Sequence, residues 1–346
     1  MKKAAIVFML LILFAIPAKA AELTAPPVPD SAAGRMPEES ATFSEGLMTI
    51  LKDALSGLRP DLAECLRTCA GVIAAALLTG IPERMPDTPG KLPQLVGALC
   101  VAGLLLRGTG SLIRLAGDTI QDMSEYGKLL LPVMTTAMAS QGCVTAPAAL
   151  YAGTAAGNTL LTALIARVLL PMVYVYLALA AAGSAMEEEG LKRLKELIKG
   201  LAGHSLKILL SVFTGYMGIT GVVSGTTDAA ALKATKLTIS GMVPVVGGIL
   251  SDASEAVLVS AGLVKNAAGV YGILAILAVC LLPFLRIGVH YLMLKGTGAV
   301  CAMFAGKRLT ALVEDFSGAM GLLLGMTGAE CLLLLISTVC FLRGAG

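Results

Sequence analysis

PVVGGILSDASEAV, residues 244–257, sets two carboxylates, Asp252 and Glu255, three residues apart inside a run that is otherwise as apolar as a bilayer. Whether that run is a membrane segment decides the fold. The chain of 346 residues is 56% hydrophobic and 14% charged, with a mean hydropathy of +0.84, whereas a soluble domain is about one quarter charged. This composition predicts an all-α, polytopic helical membrane protein whose first partner is the lipid bilayer. The 26 basic and 23 acidic residues leave a net charge of +3. They are not massed in one tract, which speaks against a nucleic-acid partner.

The acids sit between two short arms. Residues 241–250 and 256–264 are each ~14–15 Å long as helix, half the hydrocarbon thickness. Pro244 marks the break, and Gly247 and Gly248 loosen the approach to the tip. The tip is then expected near mid-depth, where a carboxylate is tolerated only if it faces protein or a wet cavity. Two readings of the acids stay open. In one, Ser251 or Asp252 caps the second arm and Glu255 takes the capping-box position three residues on. In the other, Ser251, Asp252, Ser254 and Glu255 line a polar route that attracts cations or a basic partner segment. The two are compatible, because a cap at mid-depth already needs water or a partner beside it.

The stretch has a twin, PVMTTAMASQGCVT at residues 132–145, displaced by 112 residues (132 to 244). The same offset relates LLP at 169–171 to LLP at 281–283, and Lys195 to Lys307. GYMG at 215–218 resembles GMTG at 325–328 at a slightly different offset. Four matches in order predict two tandem repeats, about 113–224 and 225–336, each with a broken, re-entrant helix. In the first copy Pro132 is the break, and Ser140 and Gln141 with Gly142 and Cys143 offer polarity without charge. Basic residues mark both connectors: Lys192, Arg193, Lys195, Lys199 and Lys207 in one, Arg286, Lys295, Lys307 and Arg308 in the other. The positive-inside tendency puts both on the cytoplasmic side, which favours parallel copies.

Working outward, residues 1–20 have the form of a signal peptide cleaved after Ala20, with an uncleaved anchor as the alternative. Residues 21–42, rich in Pro, Ala and acid, have no apolar period and read as an extracytoplasmic linker. Residues 43–61 form an amphipathic helix, with Phe43, Leu47, Ile50, Leu51, Leu55 and Leu58 at helical spacing. The membrane domain takes up residues 62–346, with spans at about 62–81, 93–113, 160–183, 206–224, 268–289 and 319–342. With the two broken segments this makes six plus two re-entrant passages, or eight crossings.

Catalytic chemistry finds little footing. His204 and His290 belong to no HExxH motif, there is no GxxxxGK[ST] loop, and Val223-Ser224-Gly225 is not a nucleophile elbow. Cys100, Cys143, Cys280, Cys301, Cys331 and Cys340 lie in apolar segments, where thiols pack as small hydrophobes. Cys65 and Cys69 lack the CxxC spacing. No catalytic residue, metal site or cofactor is expected. Gly215, Gly218, Gly221, Gly225, Gly321 and Gly325 read as smooth faces for close packing in lipid, and Glu187, Glu188 and Glu189 as the start of an interfacial helix with bases following.

TKLTISGMVPVVGGILSDASEAVLVSAGLVKNAAGVYGI at 235–273 and LLLPVMTTAMASQGCVTAPAALY at 129–151 resemble the stage III sporulation protein AE family of endospore-forming bacteria. The likeness runs from about residue 43 to the C-terminus and is densest between 205 and 290. The resemblance implies a multi-pass protein of the mother-cell-derived outer forespore membrane, in the apparatus joining mother cell to forespore. It implies as partners the other stage III A proteins, among them an ATPase and ring-forming subunits, and the forespore stage II Q protein. The implied role is permease-like, in support of a channel or feeding tube. Two further readings remain: a stand-alone secondary transporter, the pattern of duplicated halves with broken helices, and a non-conducting membrane scaffold.

Overall fold

The computed structural model describes residues 26–36, 43–80, 92–140, 146–185, 189–219 and 267–344. Among these residues every regular element is helical, and six helical stretches are long and apolar enough to cross a membrane. The elements are α1 (Phe43–Gly57), α2 (Arg59–Gly80), α3 (Leu92–Ser140), α4 (Ala146–Leu164), a π turn (Ile165–Leu169), α5 (Leu170–Ala185), α6 (Glu189–Ile219), α7 (Ala267–Phe304) and α8 (Lys307–Gly344). Most of the six apolar stretches exceed the ~20 residues that a bilayer needs by half again or more, up to the 43 residues of Leu95–Ala137. The helices therefore tilt or project beyond the hydrocarbon.

α8 is the axis of the bundle. Its most apolar window is 94% buried, against 22% for α6, and α3, α4, α5, α6 and α7 all pack on it. Contacts fix the relative levels. The α4–α5 rod runs antiparallel to α8, with Gly157 beside Leu333, Thr162 beside Glu330 and Tyr176 beside Asp315. α7 is also antiparallel to α8, with Gly298 beside Val313 and Gly288 beside Leu324. α3 runs antiparallel to α4–α5, with Gly127 against Asn158 and Gly117 against Leu170, and therefore parallel to α8, where Gly127 meets Leu334.

Two prolines act differently from a simple break. Pro171 has no N–H to offer Arg167, and the helix absorbs the loss by widening into the π turn just before it, closed by the Leu170 N–H on the Ile165 carbonyl. Pro132 lies inside α3, which continues through it to Ser140. Its missing donor orphans the carbonyl of Lys128, on the exposed side of the helix. The Thr136 hydroxyl donates to the Pro132 carbonyl at 3.0 Å and the Val133 carbonyl at 2.9 Å. The first arm expected of the first copy is thus the end of the long helix α3, and residues 141–145, which hold the rest of the expected tip, lie outside the described residues.

Residues expected to form an extended linker also differ. Pro26–Met36 includes one helical turn, Asp30–Ala33, with Ala32 fully buried. Ser31 Oγ donates to Asp122 Oδ2 at 2.6 Å, and Arg35 Nη1 donates to the Ala278 carbonyl at 3.5 Å. One buried alanine and two side-chain bonds leave no periodic signal. α1 buries Phe43, Gly46, Ile50 and Ala54, with Ala54 and Leu58 on Leu282 of α7, and turns Met48, Leu51 and Leu55 outward. The packed face mixes large and small residues, with Gly46 and Ala54 between Phe43, Ile50 and Leu58. Several glycines let helices approach the axis: a Cβ at Gly127 would fall 2.7 Å from Leu334 and 2.9 Å from Asn158, and one at Gly269 of α7 would overlap Leu342. Gly215 instead faces open space.

Candidate functional site

Ser251, Asp252, Ser254, Glu255, Pro244, Gly247, Gly248 and Gln141 lie outside the described residues. Ser140 is the last residue of α3, and Pro132 is on its exposed face. The polar groups that the described residues do bring together lie elsewhere, in three places.

The first is sealed in the core. Glu330 sits in α8, in the middle of the apolar run from Phe316 to Leu342, about 20 Å from either end, and none of it is exposed. Thr162 Oγ1 of α4 donates to Glu330 Oε1 at 3.3 Å and lies 3.5 Å from Asn158 Oδ1. Asn158 Nδ2 donates to the Ser124 carbonyl of α3 at 3.1 Å. A polar chain therefore joins α3, α4 and α8 inside the bundle. Glu330 Oε2 has no partner among the described residues, and neither do the buried hydroxyls of Thr154, one turn from Asn158, and Tyr126, two residues from Ser124. Thr154, Asn158 and Thr162 recur every four residues, so one face of α4 turns them all inward. Glu330 is absent from the candidates read off the sequence. Yet GMTGAECLLLLIS carries the same signal as the 244–257 stretch, an acid within an apolar run.

The second is open. Arg107, Ser111, Arg114, Asp118, Gln121, Glu125 and Lys128 are exposed and alternate at spacings of four and three along α3, which keeps them on one line. Gln121 Nε2 donates to Glu125 Oε1 at 2.7 Å. The opposite face of the same turns is packed, with Ile120, Met123 and Tyr126 buried. Because Ser124 bonds Asn158 and Gly127 meets Leu334, the lower half of this stripe is level with Glu330. Each ionised side chain at the centre of a lipid-facing helix costs about 2.5–3.5 kcal/mol. Four in a row, from Arg114 to Lys128, would cost on the order of 10 kcal/mol, comparable to the whole stability of a protein. Hydrocarbon would be a costly neighbour along this line. At the same levels α4 and α5 expose mainly apolar side chains, Leu160, Val168, Tyr174 and Val175, with Arg167 the one charge there among the described residues.

The third is a set of ion pairs that tie outer helices to the axis. Lys195 of α6 pairs with Asp315 of α8, the two side chains being 13% and 18% exposed, and the Tyr176 hydroxyl donates to the other Asp315 oxygen at 3.0 Å. On the far side Arg286 Nε of α7 lies 2.7 Å from Asp61 Oδ2 of α2. Neither atom makes a directed hydrogen bond, so this contact is an ion pair whose N–H points elsewhere. Burial, and then the charge of Arg286, depress the proton affinity of nearby Arg35, with Asp53 acting the other way.

Among the described residues no three His, Cys, Asp or Glu side chains gather into a metal-binding group. Cys65, Cys69, Cys280, Cys301 and Cys331 are buried free thiols, Cys340 is buried, and Cys100 is exposed. His204 and His290 each hold a carbonyl of their own helix, Gly200 at 2.7 Å and Arg286 at 2.9 Å.

An all-helical bundle with six apolar membrane-length helices and charged groups threaded among them defines a multi-pass membrane protein. The family model of Stage III sporulation protein AE matches residues 70–345. The chain belongs to this family, whose name places it in sporulation. The Stage III sporulation protein AE of Bacillus subtilis (strain 168) is 23% identical over 206 residues, covering 58% of this chain and 50% of that relative. The chain thus spans about half the length of the curated relative it matches. No solved structure matches it.

Proposed function

We propose that the chain is a membrane subunit of the apparatus joining mother cell and forespore, with a permease-like role in a conduit required for endospore development. It acts in the mother-cell-derived outer forespore membrane. Its partners are the other stage III A proteins, including the ATPase and the ring-forming subunits, and through them the forespore stage II Q protein. Its work is passage and support, without covalent chemistry. The observation that carries this reading is the exposed polar line of α3 at the level of the buried heart of α8. Water or a partner must lie along that flank, and a conduit needs such a flank.

Residues 1–20 serve as a signal peptide and 21–42 as an extracytoplasmic segment, ahead of the 43–61 helix and the membrane domain at 62–346. The repeat units, about 113–224 and 225–336, each close on a helix hairpin, α4–α5 with α6 and α7 with α8. In support, α6 and α8 run the same way, Lys195 beside Asp315 and, through Gly157, Phe213 level with Leu333. Each copy carries a re-entrant segment, around Ser140 and Gln141 in the first and around Ser251, Asp252, Ser254 and Glu255 in the second.

The test is genetic. A chain with Asp118, Glu125 and Lys128 all replaced by Leu is expected to reach the membrane at normal levels and to lower the yield of heat-resistant spores at least tenfold. Normal sporulation by that variant would refute a wet flank on α3 and favour a non-conducting scaffold.

A further inference from the structure

A carboxylate with no exposed surface and no basic side chain bonded to it among the described residues is neutralised either by its own proton or by a bound cation. Glu330 is such a group. Three features of its surroundings say which. The oxygens of Glu330, Thr162 and Asn158 are held 3.3 Å and 3.5 Å apart, beyond the ~2.5–3.0 Å of a well-formed O–H···O bond. Such spacings are the edges between neighbouring oxygens around a hard cation with contacts of about 2.4 Å. The amide of Asn158 is fixed by its donation to Ser124, so its Oδ1 is the atom left facing Thr162. Finally, Glu330 Oε2 is unused, which supplies a fourth oxygen.

We propose that Glu330, Thr162 and Asn158, linking α8 to α4, hold one sodium ion. One carboxylate with neutral oxygens balances a single positive charge, whereas a divalent ion would leave an uncompensated charge in the core. Among the described residues no group of three His, Cys, Asp or Glu side chains forms there, as a site for a divalent transition metal would need. A larger ion such as potassium would need the oxygens spread farther apart. The ion joins helices that contribute no ion pair to one another there among the described residues, so sodium tightens the contact between the axis and the α4–α5 rod. The site stands whether or not water runs along α3.

The experiment uses the full chain, purified in detergent, with radioactive sodium as the probe and thermal unfolding in sodium, potassium or choline chloride at equal ionic strength as the second readout. The expected result is saturable binding of about one sodium per chain, with a sodium-specific rise in Tm. Both are lost in Glu330→Gln, and affinity falls at least tenfold in Thr162→Val, which keeps the shape of the site. Should Glu330→Gln not fold, Thr162→Val alone decides. The proposal is overturned if the wild type binds no sodium, if potassium or a proton alone occupies the site, or if either variant binds sodium like the wild type.

Discussion

Glu330 of α8 and Glu125 of α3 are the same side chain on two helices that pack against each other, at nearly the same level, in opposite surroundings. Glu330 is wholly enclosed and reaches only Thr162 among the described residues, whereas Glu125 is exposed and bonded to Gln121 within a line of charges. The difference lies in the helices that carry them. α8 is surrounded on all sides, so its apolar residues serve a protein core and any acid among them needs a dedicated partner. α3 has one packed face and one open face, and its polar line calls for water or protein along that open face. Both helices count as membrane-length apolar segments by composition, yet only one behaves as an all-round apolar rod. An acid inside an apolar run therefore has two meanings, and helix packing decides between them.

The comparison can be broken most severely without touching a charge. Gly127 is where α3 comes close enough to α4 and α8 for Ser124 to reach Asn158. Gly127→Leu is expected to cost about 3 kcal/mol through overpacking, read as loss of monodisperse protein on size-exclusion chromatography. A well-behaved variant with wild-type Tm would mean that the helices do not meet there. Next is the pair between Lys195 and Asp315, partly shielded and shared with Tyr176. Asp315→Asn is expected to destabilise by about 2 kcal/mol, and a double-mutant cycle with Lys195→Met to show coupling of about 1 kcal/mol. Strict additivity would show that the two side chains are independent.

Glu330→Gln, measured in sodium-free buffer, is expected to change stability by about 1 kcal/mol, because the amide oxygen can still accept from Thr162. A loss of several kcal/mol would mean that the carboxylate has a cationic partner outside the described residues. The smallest effect belongs to the open line. Glu125→Gln and Asp118→Asn should each shift stability by less than about 0.5 kcal/mol, and a larger shift in chemical denaturation would show that these groups are engaged in the folded monomer.

The helical, multi-pass character is legible in the sequence because about 18 or more consecutive apolar residues suit a bilayer-spanning helix and little else. The boundary near Leu58 is also close, since Gly57 and Pro60 punctuate it, whereas the break at Ala305 falls between the expected spans 268–289 and 319–342 because both helices run well past their apolar cores. Pro132 misleads because the cost of a proline in a helix depends on whether its orphaned carbonyl is exposed, which no spacing reveals. The docking of Ala32 is invisible for a related reason, resting on one small side chain and two long-range bonds. Of the candidate site, Asp252 and Glu255 lie outside the described residues, while Glu330, Thr162 and Asn158 are brought together only by the antiparallel packing of α4 on α8. A lone acid is readable from sequence; its partners, about 170 residues away, are not.

The most direct test of the central claim is a ladder of single cysteines, in a background without exposed Cys100, probed in membranes with a charged thiol reagent. One series runs down α3 at Arg114, Asp118, Gln121, Glu125 and Lys128. The other takes Leu160, Val168, Tyr174 and Val175 at matching levels on α4 and α5. The account predicts labelling along the whole first series and protection throughout the second. Protection of α3 between Asp118 and Lys128, or equal labelling of both series, would contradict it.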